Sequence, residues 1–173
     1  VLDFYNARRA QLADVKPNAA HRAIAELEKE YKVTVVTQNV DNLHERAGSS
    51  QVIHLHGELM KACSSQAPQN LDYVINLPSP ESDLHLGDRA ADGSQLRPFI
   101  VWFGEAVPRM SDAIETLRGV DAFVIIGTSL NVYPAAGLVR FVPKGTPIFV
   151  IDPEADTMTA IKDAILLKAT ATE

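Results

Sequence analysis

Two apolar runs, DAFVIIG at 121–127 and PIFVID at 147–152, constrain the fold more than any other feature of the chain. Both are nearly continuous and rich in β-branched and aromatic residues, the pattern of strands covered on both faces. Pro134 suits the first position of a helix between them. Strand, helix, strand in that order implies a right-handed crossover and a parallel sheet. The first third of the chain reads similarly. A helix is expected over 1–13, and a second opens at Pro17-Asn18, with Asn18 as N-cap and Ala20, Ile24, Leu27 and Tyr31 at helical spacing. VTVVT (33–37) and QVIHL (51–55) follow as strands, with VTVVT buried on both faces. Later, PFIVWF (98–103) is an ordered apolar run, and a helix carrying Met110, Ile114 and Leu117 ends at Gly119. From Met60 to Leu96 no period persists, and Pro68, Pro78, Pro80, Gly87 and Gly93 interrupt the chain. An irregular stretch of that length reads as a functional insertion. The expected organisation is therefore a parallel-sheet domain from 1–56 and 97–173, with a small inserted module at 57–96.

A chain of 173 residues can bury one sizeable core with a small satellite. Its formal net charge of -6 gives no electrostatic drive toward nucleic acid or anionic membranes. No apolar run approaches the roughly 20 residues that span a bilayer. The single cysteine, Cys63, excludes an intrachain disulfide and a multi-cysteine metal site, and fits a reducing, cytoplasmic setting.

Four stretches carry candidate chemistry. In VIIGTSLNVYP (124–134), Gly127, Thr128 and Ser129 follow a buried strand and precede a helix, where small and hydroxyl residues suit a phosphate; Asp152 ends the next strand, where a carboxylate can hold a ribose hydroxyl. The G-x-G-x-x-G pattern is absent, so an ordinary turn fits these residues equally. In TQNVDNLHERAG (37–48), Gln38, Asn39 and Asp41 stand at a strand's carboxyl end, and amide side chains suit an amide ligand such as nicotinamide. The alternative is Asp41 as a helix cap with Asn39 in a turn. In QVIHLHGEL (51–59), an extended backbone points His54 and His56 to one face, where they could bind a metal with His44; or His56, beside Gly57, is a general base and His54 a core residue. In FYNARR (4–9), Tyr5 and Arg8 share a helix face and could grip a carboxylate, or form a solvated surface.

TQNVDNLHERAG, HLHGEL, RPFIVWFGEAVP and IGTSLNVYPAAGLV, in this order, resemble the sirtuins, the NAD-dependent protein lysine deacylases. The likeness runs over most of the chain and is weakest in the middle insertion. It implies an α/β fold: a Rossmann-like doubly wound parallel sheet, incomplete at its N-terminal strand, with a small inserted module lacking zinc cysteines. An acylated lysine peptide would enter the cleft as an added strand. The resemblance implies His56 as the catalytic base, with Asn39 beside it. It places Gln38, Asn39, Val40 and Asp41 around the nicotinamide and its ribose, and Gly127, Thr128 and Ser129 at the nucleotide turn. Asp152, Pro153 and Glu154 fall near the adenosine ribose, and Ala171 near the adenine. Val101, Trp102, Phe103 and Gly104 match the substrate strand and loop, with Val132 across the channel. Tyr5-x-x-Arg8 resembles the pair of the desuccinylating and demalonylating branch, in which it reads the acyl carboxylate.

The implied reaction begins with attack of the acyl oxygen on the nicotinamide-ribose carbon. His56 then deprotonates a ribose hydroxyl, and the products are free lysine, nicotinamide and O-acyl-ADP-ribose. Two departures from the family set further expectations. Structural zinc needs four ligands and only Cys63 is present, so NAD is expected without zinc. The family's first strand and Gly-Ala-Gly phosphate loop have no counterpart before the Tyr5–Arg8 helix, so these residues alone are expected to bind NAD weakly and turn over little. The competing expectations are a metal-dependent hydrolase using His44, His54, His56 and Asp41, and a non-catalytic NAD- or ADP-ribose-binding module.

Overall fold

A computed structural model describes residues 1–128, 133–157, 161 and 163–173. Helix α1 (Leu2–Ala10) runs into a 3-10 turn over Gln11–Ala13, as the helical reading of 1–13 expects. Helix α2 (Ala19–Leu27) is capped by Asn18, whose side chain accepts from the His21 N–H while the His21 ring returns the bond to the Asn18 N–H. Its apolar face is only half-covered: Leu27 and Tyr31 stay exposed.

The parallel strands form two ladders. β1 (Val35–Thr37) pairs with β2 (Val52–His54), the two being separated in sequence by the short helix α3 (Leu43–Ala47). β6 (Phe123–Ile126), β7 (Ile148–Ile151) and β8 (Ile165–Leu167) form the second, in that order. The ladders share no strand pairing among the described residues. Side chains join them: Ile53 and Leu55 pack with Ala113 and Leu117 around α4 (Met110–Thr116), and with Ala135 and Leu138, while Val36 and Phe123 flank the cluster. The helix expected from Pro134 is a 3-10 segment over Ala135–Phe141, with Pro134 at its N-cap rather than inside it. Coverage is one-sided where the apolar runs predict two-sided burial. Ile125 and Val150 are buried, but Val124 is 48% exposed, and in β1 only Thr37 is buried. No helix among the described residues is long and apolar enough to cross a membrane.

The middle of the chain is more regular than its sequence. β3 (Gly57–Ser64) is the longest strand and pairs antiparallel with β4 (Ile75–Asn76) on one side and β5 (Leu96–Ile100) on the other. Met60–Ser64 is thus strand, not irregular chain, and PFIVWF leaves the strand after Ile100. The expected boundary between 96 and 97 falls inside β5.

Two polar anchors hold this sheet. The first is Arg9, which is fully buried and donates to the carbonyls of Leu59 and Ser82 at 2.7 Å each. Asn6 exchanges two 3.0 Å bonds with the Leu84 backbone, so α1 is stapled to β3 and to the segment before β5. The second is Ser64, fully buried at the end of β3. Its hydroxyl donates to Asp92, lies 2.9 Å from the Ser94 hydroxyl, and accepts from the N–H groups of Gln66 and Ala67. Asp92 also accepts from the Ser94 N–H and hydroxyl.

Bonds from Ser64 and Ser94 hold the Asp92 carboxyl below its ordinary value. A lowered carboxyl pKa stabilises the fold above the unfolded value of about 3.9 and loses that effect as pH falls through the folded value. Asp92→Asn is therefore expected to lower the thermal midpoint at pH 7, with the deficit shrinking as pH drops below about 4. A deficit independent of pH, measured by calorimetry, contradicts the role of the charge.

Candidate functional site

The turn after β1 and the turn after β2 lie side by side. Three bonds lock them: the Leu55 N–H donates to Thr37 at 2.9 Å, the Leu59 N–H to Val40 at 2.8 Å, and the Asn39 N–H to the Thr37 hydroxyl at 3.1 Å. Thr37 is buried, so the strand ends on a satisfied hydroxyl just where polar residues begin. Val40 packs into the cluster of Leu12, Leu59 and Ile100, with Tyr5 and Trp102 against it. Asp41 accepts from the Leu43 N–H at 2.9 Å and so starts α3. The N-cap position itself is Asn42, whose side chain makes no cap bond, so Asp41 closes a turn one residue ahead of the cap weighed for it from sequence. Asn39 is exposed. Gln38 reaches across to β6, donating to the Thr128 hydroxyl at 3.2 Å. Gln38 and Thr128 thus meet at the carboxyl ends of two parallel ladders, where ligands of such folds bind.

His56 occupies the turn between β2 and β3, its main-chain oxygen accepting from the Val101 N–H at 2.9 Å. It is not on an extended strand with His54, because β2 ends at His54. Burial pushes the His56 pKa below the ordinary histidine value, opposed in part by a hydrogen bond to the Gln38 backbone. A neutral imidazole that donates one ring N–H to a carbonyl keeps the other nitrogen free to accept a proton. Gly57 makes the turn possible. Its φ is +87, and a Cβ there would stand 2.0 Å from the Phe99 carbonyl oxygen, so β3 can lie on β5 only with no side chain at this position.

His54 is 4% exposed and sits in a different environment. Its Nδ1 is 2.9 Å from the Asn39 carbonyl and its Nε2 is 2.7 Å from the Glu45 carboxylate. Burial works against its charge, but the bonds to Glu45 and Asn39 and the charges of Glu45 and Glu58 outweigh it and raise the pKa. For His44, burial and the neighbouring His21 lower the value.

The metal-hydrolase expectation places His44, His54, His56 and Asp41 around one ion. The structure does not gather them. The one grouping of ligand atoms among the described residues is Glu45, His54 and Glu58, within 4.8 Å. Its members are already paired: His54 with Glu45, and Glu58 with Lys61 at 2.7 Å. This geometry is an ion-pair cluster, and Asp41 is engaged by the Leu43 N–H in the turn before α3.

On the other side of His56, residues 101–105 are held by Arg97 and Glu105. Arg97 forms a two-pronged pair with Glu105 at 2.6 and 2.9 Å, donates to the Ile100 carbonyl, and stacks 3.6 Å from the centre of the Trp102 ring. Glu105 also accepts from the Trp102 N–H, and the indole N–H donates to the Tyr5 hydroxyl at 3.1 Å. Trp102 is therefore gripped on its face and its edge, while Phe103 is fully exposed and Gly104 takes a φ of +89. Tyr5, Phe4, Val1 and Trp102 line an apolar recess of about 370 Å³. Arg8 is exposed and lies 5.5 Å over the Phe4 ring, with no carboxylate partner among the described residues. Tyr5 faces Trp102 rather than contacting Arg8.

At the far end, the Gly127 N–H donates to Ile151 at 3.0 Å, and the space a Cβ would fill at Gly127 is open. The Asp152 carboxylate accepts from the Glu154 N–H at 2.8 Å, so part of it is used in a turn; Pro153 and Glu154 are exposed there. Ala171 stands in an exposed turn after β8. Ser129 and Val132 lie outside the described residues. The polar groups present suit a dinucleotide: the Gln38 amide and Thr128 hydroxyl converge, and among the described residues the Gly127 turn is uncovered. Arg97, Asn6, Arg9 and Glu45 escaped the sequence reading as site-forming residues. Asn6 and Arg9 carried one signal, a three-residue spacing on the helix face next to Tyr5 and Arg8.

Gly57→Ala is expected to destabilise the fold by more than about 2 kcal/mol, because strain adds to a main-chain clash. A denaturant midpoint equal to the parent's contradicts the close approach.

Residues 2–134 match the Sir2 family model. An NAD-dependent protein deacylase of Bacteroides thetaiotaomicron is 59% identical over 169 residues, covering 97% of this chain and 72% of that protein. One from Helicobacter pylori is 57% identical over 155 residues, covering 90% of this chain and 65% of that protein. Among solved structures, the NAD complex of a Sir2 homologue aligns with a TM-score of 0.81 at 35% identity, covering 99% of this chain and 66% of that one. A Sir2 complex with p53 peptide and NAD+ aligns at 0.70 and 29% identity, covering 93% and 68%. With its parallel α/β ladders and this breadth of match, the chain belongs to the Sir2 family.

Proposed function

We propose that the protein removes acyl groups from protein lysines at the expense of NAD, releasing nicotinamide and O-acyl-ADP-ribose. The observation that carries this reading is the placement of His56 between the Gln38–Asp41 turn and the Val101–Glu105 loop. Bound NAD supplies an electrophilic ribose carbon and a departing nicotinamide. Gln38, Asn39, Val40 and Asp41 enclose the nicotinamide end, and Gly127, Thr128, Asp152, Pro153, Glu154 and Ala171 the remainder. His56, kept neutral by burial, accepts the proton of a ribose hydroxyl on its free ring nitrogen. Val101, Trp102, Phe103 and Gly104 present an edge along which an acyl-lysine peptide adds as a strand.

Acidic acyl groups are the proposed substrates. Arg8 has no carboxylate partner among the described residues and stands one helical turn from Tyr5, beside the apolar recess against Trp102. A succinyl or malonyl carboxylate would pair with it, and an acetyl group leaves it unpaired. Zinc is not part of the proposal. Cys63 is the one cysteine in the sequence, and a structural zinc site needs four ligands. The proposed setting is cytoplasmic.

Two measurements test the reading. His56→Ala is expected to lower turnover by about 10²-fold or more while the protein stays folded; unchanged turnover removes His56 from the chemistry. Arg8→Met is expected to slow removal of succinyl from a lysine peptide and to leave acetyl removal nearly constant. Equal succinyl and acetyl rates in the parent protein contradict the acid-specific reading.

A further inference from the structure

His54 has two partners, and both can only accept. The Asn39 carbonyl has no proton to give, and the Glu45 carboxyl is ionised: burial works to raise its pKa, but the bond from His54 and the charges of His54 and His44 outweigh it and hold it low. Both ring nitrogens of His54 therefore face acceptors, an arrangement that an imidazolium satisfies and a neutral ring does not. A 4% exposed imidazolium paired on one side with a carboxylate, and on the other with a main-chain carbonyl, is a charged strut. It ties α3 to the last residue of β2 and pulls on the residue that follows Gln38. His56 hydrogen-bonds to Gln38 itself.

We propose that His54 is a positioning residue, a buried imidazolium held by Glu45 that fixes the Asn39 carbonyl and with it the Gln38–Asp41 turn against His56. The proposal rests on the reading of that turn as the nicotinamide and ribose site. The groups facing His54 are Glu45 and His44 on α3 and Glu58 on β3, with Lys61 neutralising Glu58 from the same strand. The two carboxylates favour the imidazolium, whose charge in turn lowers the His44 pKa. His44 has a lowered pKa and is neutral near pH 7, so the net field favours charge. The strut stabilises the fold below the unfolded histidine value of about 6.5 and keeps doing so until pH rises through the raised folded value.

The test has two arms on the full-length protein. In the first, imidazole nitrogen–proton NMR correlations at pH 7 are expected to show protons on both ring nitrogens of His54, and on one only of His56. Glu45→Gln should return His54 to a single protonated nitrogen. A neutral His54 in the parent overturns the proposal whatever the activity is. In the second arm, His54→Gln and Glu45→Gln are assayed for acyl-peptide-dependent nicotinamide release. Misplacing the turn should raise KM for NAD and lower kcat, together costing up to about 100-fold in kcat/KM, with KM for the peptide nearly constant. Glu45→Asp should recover part of the loss. A uniform fall in kcat with KM for NAD unchanged assigns His54 a purely structural role and overturns the proposal. If His54→Gln fails to fold, Glu45→Gln decides, because Glu45 is largely at the surface. Absence of nicotinamide release in the parent removes the reading of the turn, and the NMR arm still decides whether the strut exists.

Discussion

The close main-chain approach at Gly57 is the constraint on which the rest of the site depends. β2 belongs to a parallel ladder and β3 to an antiparallel sheet, and only the two-residue turn Leu55–His56 separates them. The chain changes sheets there because Gly57 can lie against the Phe99 carbonyl, with Gly57 opposite Ile100 in the register. That contact brings the His56 backbone onto Val101 and aims the loop of Trp102 along the cleft. Proton chemistry and peptide edge are thus set by one strand crossing.

Around this crossing, fixed charges do the positioning. Arg97 and Glu105 clamp Trp102 by ion pair and ring stacking, and Trp102 in turn holds the Tyr5 hydroxyl at 3.1 Å. Arg9 and Asn6, on the neighbouring face of the same helix, tie α1 to the Leu59 carbonyl of β3 and to the Leu84 backbone before β5. The helix that carries Tyr5 and Arg8 is therefore anchored by its buried pair, with Tyr5 half-buried against Trp102 and Arg8 exposed. His54 and Glu45 complete the pattern on the nucleotide side. In each case an ionised group is partly buried and hydrogen-bonded, so breaking either partner leaves a costly orphan.

The parallel strands were legible because their apolar runs are short, dense and bounded by turn residues. The Asn18 cap was legible because its chemistry is local. β3 was not. Its burial follows no strict alternation, and its pairing with β5 shifts register between Glu58 and Ala62, which breaks the two-residue period that marks a strand. The one-sided cover of β6 was likewise invisible, since an apolar residue such as Val124 reads the same whether or not something packs on it. For the candidate site, motif order picked out Gln38, Thr128, His56 and Trp102; Gln38 bonds to Thr128, and the His56 backbone bonds to Val101, next to Trp102. It could not separate the roles of His54 and His56. Their difference arises from Glu45 and from two neighbouring carbonyls, contacts that no sequence spacing encodes. The pairing of Tyr5 with Trp102 rather than Arg8 has the same origin.

The central claim is that the two histidines of HLHG divide charge between them, with His56 neutral and ready to accept a proton. The pH dependence of kcat/KM for acyl-peptide turnover tests it most directly, because that profile reports ionisations of the free enzyme. The account predicts a rate that is level from neutral pH downward until it falls through a single acidic limb below the ordinary histidine value of about 6.5. An acidic limb lying above that value, or one that persists in His56→Ala and vanishes in His54→Gln, contradicts it.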